Sequence, residues 1–202
     1  MNIYLDHNAT TPVDPEVLEE MLPYLKGNFG NPSSNHAFGQ RARHGLDVAR
    51  ERVAGLVGAG PEEIVFTSGG TESDNYAIKG VCEANRSQKQ HVITTAIEHQ
   101  AVLSVCHGLE QNGVRVTYVG VDNTGTINPE EVLDAISEDT VLVSVMLANN
   151  DVGTIQPVRE IARVAHQKGV VVHCDAVQAV GKIPIDVVDL GADLISISSH
   201  KL

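Results

Sequence analysis

Three residues of this sequence could do chemistry by type: Lys201, Asp175 and His99. A primary amine can condense with a carbonyl, and a carboxylate can pair with a protonated ring nitrogen. An imidazole can move protons near neutral pH. A fourth feature, Thr67-Ser68-Gly69-Gly70-Thr71-Glu72, has the form of a phosphate cradle if it opens a helix. Its glycines let the backbone approach an anion, and the free N–H groups of a first helical turn favour negative charge. Taken singly, each feature also fits a plainer role. Glycine serves any strand-to-helix turn, Asp175 could cap a helix, and Lys201 could be a solvated lysine. Asn150 and Gln178 could make ordinary loop hydrogen bonds. The turn is neither G-x-x-x-x-G-K-[ST] nor G-x-G-x-x-G, so the usual nucleotide and dinucleotide fingerprints are absent.

The elements that must position these residues follow from the apolar pattern. Short β-rich runs occur at Ile64–Phe66, His91–Thr95, Val114–Val121, Val141–Leu147, Val170–His173 and Leu194–Ser198. Several are apolar almost throughout, as in strands buried on both faces of a mainly parallel sheet. Helices are predicted between them. One opens at Asp14-Pro15, and a long amphipathic one over Gln40–Val57 is closed by Gly58 and Gly60. Others start near Thr71, Gln100, Pro129 and Pro157. Residues 27–39, GNFGNPSSNHAFG, read as a loop. Strand–helix alternation implies an α/β fold: a three-layer α/β/α arrangement on a mainly parallel sheet. In such sheets ligands bind beyond the carboxyl ends of the strands. The polar residues fall at those ends: Ser68–Glu72, then Glu98 and His99, Asn149 and Asn150, Asp175 and Gln178, and Ser198, Ser199, His200 and Lys201. A helix-start anion site, an acid at one strand end and an amine at another are together the parts that pyridoxal phosphate requires.

Composition narrows the function classes. The 202 residues are 42% hydrophobic and 20% charged, as in an ordinary globular protein, with 3% aromatics and no Trp. A formal net charge of −12 opposes nucleic acid as the main partner, while leaving room for one phosphate held by directed N–H groups. No apolar run approaches about 18 residues, so no membrane span is expected. The N-terminus MNIYLDHNATTP lacks the basic and apolar regions of a signal peptide. Cys82, Cys106 and Cys174 are widely spaced, which suggests reduced thiols and a cytoplasmic protein. The nine histidines form no H-x-x-x-H pair or Cys/His cluster, so no metal site is expected.

The segments YLDHNATTP (4–12), GNPSSNHAFG (30–39), EIVFTSGGTESDN (63–75), EHQAVL (98–103), NNDVGTIQP (149–157), HCDAVQAVGKIPID (173–186) and SSHK (198–201) resemble, in order, the blocks of the NifS/IscS-type cysteine desulfurases. These belong to the class V pyridoxal-phosphate-dependent aminotransferase family. The resemblance spans nearly the whole chain. It implies the large domain of the fold-type I transferases, incomplete at its C-terminus. Residues 1–12 would be an arm belonging to the small domain, residues 13–202 part of the cofactor-binding domain, and the C-terminal small domain would lie outside the chain. Lys201 resembles the family's Schiff-base lysine, and Asp175 the partner of the pyridine N–H. Gln178 and Asn150 resemble the residues at the ring's phenolic edge, and His99 the histidine stacked on the ring. Gly70, Thr71, Ser198 and His200 resemble the family's phosphate-binding set, and Ser199 is expected among the cofactor-binding residues. Asp151, Ser199 and Tyr76 depart from the family's usual Glu, Gly and Leu.

The resemblance implies removal of sulfur from L-cysteine, giving L-alanine and a persulfide for iron–sulfur cluster assembly or other sulfur transfer. It also implies a scaffold or sulfur-acceptor protein and a homodimer in the complete protein. The family's nucleophilic cysteine lies after the lysine, so the 202 residues alone are expected to be inactive. Other readings of the same motifs are a selenocysteine lyase, another class V aminotransferase, or an inactive cofactor-binding fragment. A loop cysteine downstream would separate the desulfurase from the rest.

Overall fold

A computed structural model describes residues 2–86 and 90–202. The chain divides into two compact units, one formed by residues up to Phe66 together with Lys201, the other by Thr67–His200 with Leu202. The second unit holds the sheet. Its strands are β1 (His91–Thr95), β2 (Arg115–Val119), β3 (Thr140–Met146), β4 (Val171–Asp175) and β5 (Leu194–Ser196). They are all parallel, in the order β2-β1-β3-β4-β5. Every residue of β1 is buried, and all but one of β3, which accounts for the absence of strict apolar–polar alternation in them.

The helices of this unit are α3 (Gly70–Ala84), α4 (Gln100–Gln111), α5 (Pro129–Ala135), α6 (Val158–His166) and α7 (Val187–Leu190). They form two groups, α3 packing on α4 and α5 on α6. Ile78 and Cys82 of α3 join Val102, Val105 and Cys106 of α4 over Val92 and Leu142 of the sheet. Side chains alternate along a strand, so Leu142, Ser144 and Met146 share the α3 side of β3. His173 and Asp175 share that side of β4.

The first unit contains α1 (Pro15–Lys26) and α2 (Ala37–Val57). Asp14 caps α1 by accepting the Glu16 N–H at 2.8 Å, and Gly58, at φ 74°, ends α2. The two helices meet where Tyr24 covers Gly45 so closely that a Cβ there would stand 2.3 Å from the phenol oxygen. Residues 2–10 are exposed and carry no strand.

Four details differ from the pattern read off the sequence. Ile64–Phe66 forms no strand; Val65 and Phe66 are exposed, and among the described residues no strand pairs with them. Helix α2 begins at Ala37 because the His36 imidazole accepts the Gly39 N–H at 3.3 Å, which shortens the preceding loop. Strand β4 runs on through Asp175, so that residue closes the strand instead of following it. Strands β2 and β5 are shorter than their apolar runs. No helix among the described residues is long and apolar enough to cross a membrane.

Candidate functional site

The strand order reverses between β1 and β3, since the chain lays β2 on one side of β1 and β3 on the other. Such a switch point opens a crevice at the carboxyl ends of its two strands. Glu98, just after β1, bridges that point. Its Oε1 accepts the Thr95 hydroxyl at 2.7 Å and the Met146 N–H, at the end of β3, at 2.9 Å. Among the described residues its Oε2 has no hydrogen-bond partner, and burial pushes the carboxyl up to about 8. The next residue, His99, caps α4 by accepting the Ala101 N–H at 3.1 Å. Asn149 and Asn150 follow β3, and Asn149 donates to the Ile97 carbonyl at 2.9 Å. The loops after β1 and β3 are thus tied together by groups from both.

Asp175 ends β4 at the same edge, in register with Met146 and Ser196. It is 5% exposed and accepts the Val177 N–H at 3.0 Å. Burial raises its pKa, opposed by that N–H and by nearby His99. Beneath it lies a buried polar chain. His173 meets Ser144 Oγ through Nδ1 at 2.9 Å and Ser196 Oγ through Nε2 at 3.0 Å. Ser196 meets Ser73 of α3 at 2.9 Å. Asp74, also on α3, has its Oδ1 3.7 Å from His173 Nε2, and among the described residues that oxygen has no hydrogen-bond partner.

The N-terminus of α3 is capped by Gly69, which offers no side-chain acceptor to the first turn. The Ser68 N–H instead donates to Glu72 at 2.5 Å, and the Ser68 contacts lower the Glu72 pKa. A Cβ at Gly70 would stand 3.0 Å from Val177 Cγ2 and 3.6 Å from Ser198 Cβ. Gly70, Ser198 and the turn after Asp175 therefore approach one another, and glycine is what the space at residue 70 admits. A pyridoxal phosphate suits these groups. The phosphate would meet first-turn N–H donors and the Ser198 hydroxyl, and the ring nitrogen would meet the buried acid Asp175.

The expected site residues are not all arrayed in this way. The Asn150 amide donates to Asp151 at 2.8 Å, and Gln178 Oε1 accepts Lys182 Nζ at 2.8 Å. Thr71, Ser199 and His200 are exposed, the last two in the single turn Ser199–Lys201. Lys201 belongs to the first unit; its buried ammonium donates to the carbonyls of Asn8 and Ala9, the latter at 2.8 Å. Among the described residues no three His, Cys, Asp or Glu side chains gather as a metal site. Sequence reasoning passed over Asp74, Ser144, His173 and Ser196. Their signal was polarity inside apolar stripes: Asp74 shares a helix face with buried Ile78 and Cys82, and Ser144 interrupts VLVSVML.

Comparison with known proteins extends this geometry. Residues 3–202 match the model of the family described as aminotransferase class-V. The chain is 52% identical over 199 residues to the cysteine desulfurase IscS of Methanosarcina thermophila, covering 98% of this chain and 49% of that protein. It is 50% identical over 199 residues to the cysteine desulfurase IscS of Dictyoglomus turgidum, covering 98% and 50%. Among solved structures, a NifS-like protein superposes with a TM-score of 0.97 at 47% identity, covering all of this chain and 56% of that one. SspA in complex with cysteine superposes with a TM-score of 0.97 at 42% identity, covering 99% and 58%. The chain thus spans about half the length of the curated relatives it matches.

Proposed function

The chain belongs to the aminotransferase class-V family, and from that premise we propose that the whole protein is a pyridoxal-phosphate-dependent cysteine desulfurase. It takes L-cysteine and a protein thiol and yields L-alanine and a protein persulfide. The observation that carries this reading is Asp175, a buried acid at a strand end, beside the Gly70–Ser198 approach at the start of α3. Similarity to proteins named cysteine desulfurase, and to a structure described as holding cysteine, supports the substrate.

Bound pyridoxal phosphate supplies an electron sink for the substrate's Cα–H bond. The chain's own residues do the rest. Asp175 would accept the ring N–H and favour the protonated nitrogen. His99 would lie against the ring face, and Asn150 and Gln178 would donate at the ring's phenolic edge. Gly70, Thr71, Ser198 and His200 would hold the phosphate, with Ser199 beside them. Lys201 would bind the cofactor through its amine and move the substrate proton.

The sulfur-accepting thiol lies outside these residues. Cys82, Cys106 and Cys174 are buried, and burial pushes their thiols up, Cys82 to about 11 and Cys106 to about 12. Such thiols are poor nucleophiles. The arm 1–12 belongs with a small domain, also outside these residues, and the protein acts as a homodimer with an acceptor or scaffold protein. Apolar side chains exposed on α1, among them Val17, Met21 and Leu25, support a partner surface.

Borohydride reduction of the loaded full-length protein, followed by peptide mapping, should place the label on Lys201. Alanine and reducible sulfur should form in equal amounts from L-cysteine, and the 202 residues alone should form neither. A label on Lys168 or Lys182 would overturn the lysine assignment. Alanine without persulfide would point to another class V activity.

A further inference from the structure

Two carboxyls face the same side of β4 and β5, and the reading above gives a role to one of them. Asp175 stands at the open edge of the sheet, with the Val177 N–H on Oδ1 and His99 nearby. Asp74 comes from α3, which packs on β4 and β5, and is 1% exposed. Among the described residues, the groups around Asp74 are Ser73 on its own helix, His173, Cys174 and Asp175 on β4, Ser196 on β5, and Glu98 after β1. None is a fixed cation. The His173 ring is spent on two serines, and burial holds it down at about 4, so it is neutral near pH 7. Two buried anions on one face without a cation between them are costly, and a carboxylate oxygen without a donor adds to that cost. One of the two must keep a proton. Asp175 has the N–H donor, the nearby histidine and the open edge; Asp74 has an orphaned oxygen.

We propose that Asp74 is a positioning residue for the cofactor's ring: it holds the proton of the Asp74–Asp175 pair within the Ser73–Ser196–His173–Ser144 chain, so that the negative charge rests on Asp175. Burial and the neighbouring Asp175 push Asp74 up to about 8, against a hydrogen bond from Ser196 that pulls the other way, which agrees with the geometry. Asp74 also ties α3, whose first turn would hold the phosphate, to the strands that carry Asp175 and Ser196. One helix would thereby set both ends of the cofactor. The proposal deepens the cofactor reading and rests on it for the role of Asp175.

Infrared spectroscopy of the full-length protein near pH 7 tests where the proton lies, with or without cofactor. The wild type should show the carbonyl stretch of protonated carboxyl groups. D74N should delete one component, and E98Q a different one. A spectrum that D74N leaves unchanged overturns the proposal. If D74N does not fold, the carboxyl carbon resonances of wild-type protein labelled at aspartate decide the same point: a buried aspartate titrating near pH 8 supports it, and ionisation of every aspartate by pH 7 overturns it.

Cofactor titration tests the role. D74L, which removes the hydrogen-bonding group, should weaken pyridoxal phosphate binding about tenfold. D74N, a neutral mimic of the neutral acid, should restore it to within about threefold of wild type. If D74N weakens binding as far as D74L does, Asp74 acts as an anion and the proposal falls. If the wild type does not bind pyridoxal phosphate, the cofactor reading fails and takes this role with it, while the infrared result still locates the proton.

Discussion

Helices α1 and α3 are of similar length and both start at well-formed turns, yet they are held in different ways. Helix α1 buries none of its residues, and α2 buries Gly39, Ala54 and Val57. The contacts between the pair include the Tyr24–Gly45 approach and one exposed ion pair, Arg52–Glu20 at 3.3 Å. Exposed pairs contribute about 0–1 kcal/mol. Helix α3, by contrast, buries Asp74 and places Ile78 and Cys82 in a core shared with α4 and two strands. Regular local signals therefore make a helix in both units, but burial gives it weight only in the second. The groups with altered pKa lie with that weight, because a polar group is held at a fixed place and altered pKa where packing surrounds it.

The contrast is broken most directly in the core. Leu142 is fully buried between β1 and β4, under Ile78 and Val102. Leu142→Ala should cost about 2–5 kcal/mol, as buried leucine truncations do. Leu18→Ala, on the exposed face of α1, should change stability by about 0.5 kcal/mol or less. Urea unfolding of the full-length protein measures both. A large loss at Leu18 would show that α1 is covered in the complete protein, and would turn the exposed face into an interface.

A second contrast is electrostatic, and its groups all belong to the second unit. Folded Glu98 and Asp74 hold protons to about pH 8, against ordinary values of 4.5 and 3.8. The native state then binds more protons than the unfolded one, so this stability is full at low pH and is lost as pH rises to about 8. Folded His91 and His173 are held down at about 4, against 6.5. There the native state binds fewer protons, so their stability is present above 6.5 and is lost as pH falls towards 4. The two effects oppose each other through the acid range. Between pH 6.5 and 8 the carboxyls act without the histidines, each at up to about 1.4 kcal/mol per pH unit. Unfolding free energy should therefore fall from pH 6.5 to 8, and E98Q should remove one carboxyl's share. A flat profile in wild type would refute the neutral assignment of Glu98.

The parts of this arrangement that could be read beforehand share a physical cause. Strand β3 was legible because burial on both faces makes a run apolar almost throughout, and the helix expected to start near Gln100 is α4. Ile64–Phe66 misled because three apolar residues specify extension but not pairing, and pairing depends on a partner elsewhere in the chain. The edge carrying His99, Asn150, Asp175 and Ser198 followed from strand polarity alone. The orientation of the Asn150 and Gln178 amides did not, since Asp151 and Lys182 compete for them through local bonds that no spacing rule weighs. Asp74 and His173 were hidden because each reads as an ordinary polar residue until α3 is laid across β4 and β5.

The smallest expected effect compares one device in two settings. Asp14 caps α1 by accepting the Glu16 N–H at 2.8 Å, and Asn128 caps α5 by accepting the Glu130 N–H at 3.1 Å. Both caps precede a proline at the first helical position. Replacing either by Ala removes one first-turn acceptor at a cost of about 1 kcal/mol to its helix. The cost should register differently. Helix α5 buries Val132 and packs on α6, so opening it exposes core, and Asn128→Ala should lower the global unfolding free energy. Helix α1 buries nothing, so its opening should be a local event, and Asp14→Ala should appear chiefly as faster amide exchange over Glu16–Leu25 with the global midpoint nearly unchanged. Exchange read by mass spectrometry on both variants, beside urea melts, separates the outcomes. Equal global losses would mean that α1 unfolds together with the sheet in the complete protein, and the two regions would then be one cooperative unit.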